Sequence, residues 1–189
     1  MPEQREGLDL SSWRVAFNGA EPVRAETLDR FAEAFAPCGF RREAFFPCYG
    51  LAEGTLLAAG GSVGEGPRLS AFSPASLERH EPAAPAGNEP GRLLVGCGQA
   101  WLEQRLAIVD PETGTACPPG RVGEIWIAGP SVAQGYWGQP EETERVFRAV
   151  LPGGEGSFLR TGDLGFVAGS ELFVTGRLKD LVILRGRNH

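Results

Sequence analysis

The sequence predicts an α/β plus β fold: the end of a parallel βαβ subdomain, followed by a small antiparallel β-barrel-like subdomain. Three observations lead there. A strand pattern, an amphipathic helix pattern and a second strand pattern succeed one another within the first 50 residues. Six short strand patterns separated by turn residues occupy the second half. The 27 glycines and 15 prolines among 189 residues suit short strands and tight turns better than long helices.

In chain order, residues 13–17 alternate large apolar side chains with Arg14 and the small Ala16, as a strand can, and stop at the turn-rich Asn18-Gly19-Ala20-Glu21-Pro22. Leu28, Phe31, Ala32 and Phe35 then fall at i, i+3, i+4 and i+7, one face of a helix that Pro37 and Gly39 terminate. Residues 44–50 read as a second strand running into a loop. Strand, helix and strand joined by short connections imply parallel pairing, and residues 1–60 are assigned to this unit. Ligands of such sheets bind beyond the carboxyl ends of the strands, where residues 19–21 and 49–53 both lie.

Residues 61–91 are expected to be irregular and largely on the surface. Within them Ser73-Pro74 marks a short capped helix, with Ser as the cap and Pro in the first turn. Residues 92–175 contain strand patterns at 92–95, 105–109, 124–128, 158–160, 165–168 and 172–175, which predict a compact antiparallel sheet or barrel. A helix is expected to start at Pro140-Glu141-Glu142, where acidic groups meet the positive end of the helix dipole.

Composition excludes several functions. A net charge of -6 and a pI of about 5.1 leave no basic footprint for nucleic acid. No apolar run reaches membrane-spanning length. The polar, acidic amino terminus does not resemble a secretory signal, so a cytoplasmic location is expected. The four cysteines contain no Cys-x-x-Cys pair and are read as reduced, packed thiols. His80 and His189 lie too far apart in sequence to suggest a histidine-based triad or metal cluster.

Four segments could carry chemistry. Gly19 in Asn18-Gly19-Ala20-Glu21-Pro22 would let a flat ligand approach the backbone, and the segment reads equally as a plain strand-to-helix turn. In Tyr49-Gly50-Leu51-Ala52-Glu53, the ring could cover a nucleobase and Glu53 could hold a hard cation, or both could be structural. In Arg160-Thr161-Gly162-Asp163-Leu164-Gly165, a carboxylate on a tight loop could accept hydrogen bonds from two ribose hydroxyls, or the segment could be an ordinary β-turn. Arg177 in Gly176-Arg177-Leu178-Lys179-Asp180 offers a planar fork for ribose or phosphate oxygens, in a segment that could also be a solvated charged turn.

Taken in order, these segments and Gly-Glu-Ile-Trp-Ile-Ala-Gly-Pro-Ser-Val-Ala-Gln-Gly-Tyr-Trp at 123–137 resemble the successive core motifs of the adenylate-forming enzymes. Ala52 stands where the general family pattern has Thr. Ile183 stands where many acyl-CoA synthetases have Lys. Together with Leu-Lys-Asp-Leu-Val-Ile-Leu-Arg-Gly-Arg-Asn-His at 178–189, these departures resemble the fatty acyl-AMP ligases.

The resemblance implies ATP or AMP and Mg2+ as cofactors and a fatty acid as substrate. It implies an acyl carrier protein, or a polyketide or peptide synthase, as partner. By the same resemblance, Gly19, Ala20 and Glu21, with Tyr49 and its neighbours Gly50, Leu51 and Ala52, line the adenine, and Tyr49 stacks on it. Glu53 binds magnesium, Asp163 holds the ribose hydroxyls, and Arg177 lies near ribose and phosphate. Lys179 and Asp180 form a hinge to a small carboxyl-terminal domain, of which residues 176–189 would be the start and at which the chain is expected to be truncated. Gly135, Tyr136 and Trp137 are expected to be packing residues of the barrel, and the subfamily's insertion is expected within residues 60–90.

The family's phosphate-holding loop and its catalytic lysine match no segment of the sequence, so the chain is expected to be inactive alone. Two enzyme alternatives are a part of an acyl-CoA synthetase or of a peptide-synthetase adenylation domain. A nucleotide-binding module without catalysis and a non-functional remnant also stay open.

Overall fold

A computed structural model describes residues 5–154, 156–180, 183–184 and 187–188. Its first sheet has four strands: β1 (Ala16–Asn18), β2 (Phe45–Tyr49), β3 (Ala59–Gly60) and β6 (Gln99–Ala100). β1 and β2 pair in parallel, from Ala16 opposite Phe45 to Asn18 opposite Pro47. The helix α1 (Ala25–Phe35) is the crossover that parallel pairing needs. β3 and β6 add antiparallel, so the sheet is mixed.

The first strand lies further along the chain than its alternation predicts. Trp13 is not in it: its ring packs edge-on against Phe40 at 5.5 Å and its indole N–H donates to the Val15 carbonyl. Aromatic packing here outweighs period-2 pairing. α1 behaves as its spacing predicts, burying Ala25 and Leu28 with Phe31, Ala32 and Phe35 partly buried against the same cluster. It gives way to a 3-10 turn holding Pro37, and Gly39 reverses the chain at φ +83.

The stretch expected to be irregular contains a strand. β4 (Leu69–Phe72) pairs antiparallel with β5 (Arg92–Val95), from Leu69 opposite Val95 to Phe72 opposite Arg92. Between them, Ser73 caps α2 (Pro74–Glu78) as predicted, its side chain accepting from the Ser76 N–H. β5 therefore belongs to a hairpin-like pair that crosses the expected boundary at 91/92.

The second half forms an open four-stranded antiparallel sheet and not a closed barrel. Its order is β10-β9-β8-β7, with β7 at Arg105–Val109, β8 at Gly123–Ala128, β9 at Leu159–Ala168 and β10 at Glu171–Arg177. Four strands are too few to curl back on themselves, and β5 and β6 pair elsewhere. Residues 158–160 and 165–168, expected as two strands, lie almost wholly in the single ten-residue β9. The helix α3 (Pro140–Phe147) starts at the predicted proline and buries Val146 and Phe147.

The two sheets share a core. Tyr49 and Ala59 from the first sheet pack with Ile125, Ile127 and Leu172 from the second. Backbone bonds reinforce the junction: the Cys97 N–H donates to the Leu172 carbonyl and the Leu172 N–H to Gly98. This junction sets the end of β2 against the middle of β9. Beyond β10, a 3-10 turn spans Leu178–Asp180, and Ile183–Leu184 pairs antiparallel with Arg187–Asn188. The rest of the expected hinge and domain start, Leu181, Val182, Arg185, Gly186 and His189, lies outside the described residues.

Candidate functional site

Asp163 is not at the tip of a tight turn, as the Gly-Asp pair suggested, but inside β9 at an irregularity in pairing. Trp126 faces Arg160 and Glu124 faces Leu164, so β9 takes two more residues than β8 over this stretch. Gly162 absorbs the distortion at φ +72. Bulges of this kind re-aim side chains, and here the Asp163 carboxylate meets the end of β2.

There the Tyr49 hydroxyl donates to Asp163 Oδ2 at 2.8 Å. Arg177, opposite Asp163 in the β9–β10 register, donates from Nε to Oδ1 at 2.9 Å. The Asp163 side chain is 9% exposed and that of Arg177 66%, so the ion pair runs from the interior to the surface. Burial, reinforced by the Asp163 charge, holds the Tyr49 phenol well above the ordinary tyrosine range, so it remains a donor. Tyr49 keeps only 8% of its surface exposed, which is what remains for a ligand.

Gly19 lies against β2: a Cβ there would sit 3.0 Å from the Cys48 carbonyl oxygen, next to Tyr49 in the chain. Ala20 adopts a left-handed φ of 66 and, like Glu21, is exposed. A depression of about 450 Å³ opens beside Asn18, Gly19 and Glu21. Gly50 has a steric reason to be glycine, because a Cβ would fall on the Leu56 carbonyl oxygen. Leu51 packs toward Val146 and Phe147, and Ala52 is exposed at the start of the 3-10 turn Ala52–Gly54.

Glu53 in that turn has a partner the sequence did not suggest. The Tyr136 hydroxyl donates to Glu53 Oε1 at 2.8 Å. Partial burial and then the Glu53 carboxylate push the Tyr136 phenol up to about 12. The expected packing role of 135–137 therefore needs correction. Tyr136 does pack edge-on against Phe147, but it also binds Glu53, and Trp137 is fully exposed. Gly135 leaves room for Thr143, whose hydroxyl accepts the Tyr136 N–H. Lys179 is exposed in the turn after β10.

Two groups behind Asp163, one buried and one half-buried, were also missed. Glu124, 2% exposed, accepts from Trp126 Nε1, from Arg160 Nε and Nη2, and from the Gly162 N–H. Thr161 donates to the Ile125 carbonyl and accepts the Asp163 N–H. A glutamate in the otherwise apolar run 123–128 was the available signal, because a buried carboxylate needs several donors.

The site thus gathers Tyr49, Asp163 and Arg177, with Glu53 and Tyr136 as a second pair. It offers a carboxylate with unused lone pairs, an exposed guanidinium and an accessible glycine-bearing turn, which suits a hydroxylated, anionic ligand. Residues 1–137 match the family model described as AMP-binding enzyme. The chain belongs to that family.

Among its relatives, the medium-chain-fatty-acid–[acyl-carrier-protein] ligase JamA of Moorena producens is 51% identical over 99% of this chain and 32% of its own length. The corresponding ligase TtuA of Teredinibacter turnerae is 42% identical over 96% of this chain and 30% of its own. The crystal structure of a fatty acid AMP ligase from Legionella pneumophila superposes with a TM-score of 0.89 at 48% identity, covering 95% of this chain and 31% of that one. The chain spans about a third of the length of the curated relatives it matches.

Proposed function

We propose that this chain is the adenosine-reading part of a ligase that activates a fatty acid as its acyl-adenylate for delivery to an acyl carrier protein. The observation that carries the reading is the Asp163 carboxylate, held by Tyr49 and Arg177 at the end of β2 beside Gly19. An ionised carboxylate has about four lone-pair sites, and the two protein donors leave two for vicinal ribose hydroxyls. Arg177, mostly exposed, can turn toward a phosphate while keeping its charge. The 19–21 turn and the exposed part of Tyr49 form the base-facing side. The names of the relatives, which act on medium-chain fatty acids and acyl carrier protein, support the choice of substrate and partner.

In the proposed reaction an oxygen of the fatty-acid carboxylate bonds to the α-phosphorus of ATP while the bond from that phosphorus to pyrophosphate breaks. A carrier-borne thiol then takes the acyl group and AMP leaves. The residues of this chain bind and orient adenosine, so that the α-phosphorus is presented in line. Glu53 fits a magnesium role through its hard oxygen donors, one of which Tyr136 already fixes. No group of three or more His, Cys, Asp or Glu side chains converges among the described residues. Among the described residues Glu53 would thus act with at most one further such side chain, an arrangement Mg2+ accepts because it keeps waters and phosphate oxygens. When bound, the ion neutralises charge developing on the phosphates.

The test is ATP–pyrophosphate exchange by the protein carrying this chain, with and without fatty acids of graded length. Exchange that rises with a medium-chain fatty acid supports the reading. Exchange driven by amino acids and indifferent to fatty acids overturns it.

A further inference from the structure

We infer that Glu124, with Thr161, is a positioning residue for ribose recognition: the two fix the bulge that aims Asp163. This rests on the reading of Asp163 as the ribose contact. Glu124 touches no proposed ligand, and its side chain sits 2% exposed in a strand where every residue is buried. A carboxylate in that place needs compensation, and it receives four donors. Oε2 takes Trp126 Nε1 at 2.9 Å and the Arg160 guanidinium at 2.9 and 3.1 Å. Oε1 takes the backbone N–H of Gly162 at 3.1 Å.

That last bond is the informative one. Gly162 is the left-handed residue of the bulge and the immediate neighbour of Asp163. Its N–H has no strand partner to bind, because β9 leaves register between Arg160 and Leu164. Glu124 supplies the missing acceptor from across the ladder. Thr161 does the complementary work on the other side: its hydroxyl donates to the Ile125 carbonyl at 2.6 Å and accepts the Asp163 N–H at 3.0 Å. The bulge is thus held at consecutive residues by two groups tied to consecutive positions of β8, Glu124 and Ile125. Arg160 also lies over the Trp126 ring at 5.6 Å, which steadies the guanidinium that anchors Glu124.

A bulge without these clamps could still form a strand but would leave the carboxylate free to wander by the ångström that costs recognition. The role differs from general stability in one measurable respect. Loss of fold weakens binding of every nucleotide alike, whereas loss of Asp163 placement weakens only what depends on the ribose hydroxyls.

The experiment is calorimetric binding of AMP and of 2′,3′-dideoxy-AMP to the chain and to Thr161→Val, Thr161→Ser and Glu124→Gln, with thermal unfolding of each. The unaltered chain should prefer AMP by about tenfold or more, as hydrogen bonds to a charged group do. Thr161→Val should bring that ratio to within about threefold of unity, and Thr161→Ser, which keeps the hydroxyl, should restore it. Glu124→Gln, if folded, should behave like the valine variant; the threonine pair decides the matter if it is not. A ratio unchanged in Thr161→Val overturns this inference while leaving Asp163 as the ribose contact. An unaltered chain that does not bind AMP, or does not distinguish the two nucleotides, overturns the ribose reading itself.

Discussion

The hydroxyl of Tyr49 and the carboxylate of Asp163, 114 residues apart in sequence, meet at 2.8 Å inside the junction of the two sheets. Each residue accounts for the other's burial: the carboxylate gains a donor it could not get from water, and the phenol gains an acceptor. Tyr49→Phe removes the donor and leaves Oδ2 short of a partner in an apolar setting. The expected cost is about 1–3 kcal/mol, read as a lower urea midpoint with an unchanged slope.

Tyr136 offers a prediction in pH. Its phenol is pushed up to about 12 in the fold, against about 10 when unfolded. A raised pKa means the folded chain keeps a proton that the unfolded chain has already lost. The associated stability is complete below about pH 10 and disappears as pH climbs toward 12. Unfolding midpoints across that window should fall less steeply for Tyr136→Phe than for the unaltered chain.

The glycines that directly follow β2 and β3 divide by what surrounds them. At Gly50 an added Cβ would collide with the Leu56 carbonyl, and backbone cannot move aside as a flexible side chain can. Gly50→Ala should cost about 3 kcal/mol or more, at or beyond the upper end for overpacking. Gly61 has open space around its Cβ position, so Gly61→Ala should leave the thermal midpoint within a few degrees.

Much of this fold was legible because its signals are local. The i, i+3, i+4, i+7 apolar set of α1, the Ser73 cap and the proline that starts α3 each act within a turn or two of themselves. The ends of β5 and β7 were also marked by adjacent turn residues. Pairing was less legible, because it depends on residues far along the chain. Nothing near Arg92 says that its partner is Phe72 rather than a strand of the second sheet. Gly162-Asp163 reads as a turn because glycine permits a positive φ, and a bulge inside a strand uses that same freedom.

The candidate site shows the same division. Motif order marked Tyr49, Glu53, Asp163 and Arg177. Tyr136, bound to Glu53 across 83 residues, resembled a packing aromatic, and Glu124 stood unremarked at the start of an apolar strand. Their partners come only from the way the sheets meet.

The central claim, that Asp163 reads a ribose, is tested most directly by calorimetric titration of AMP into the chain and into Asp163→Asn. Asparagine keeps the size of the side chain and removes its charge and one acceptor oxygen. With both proteins folded by circular dichroism, the substitution should weaken AMP at least about tenfold, as expected for hydrogen bonds to a charged group. Equal affinity for AMP in the two proteins would contradict it.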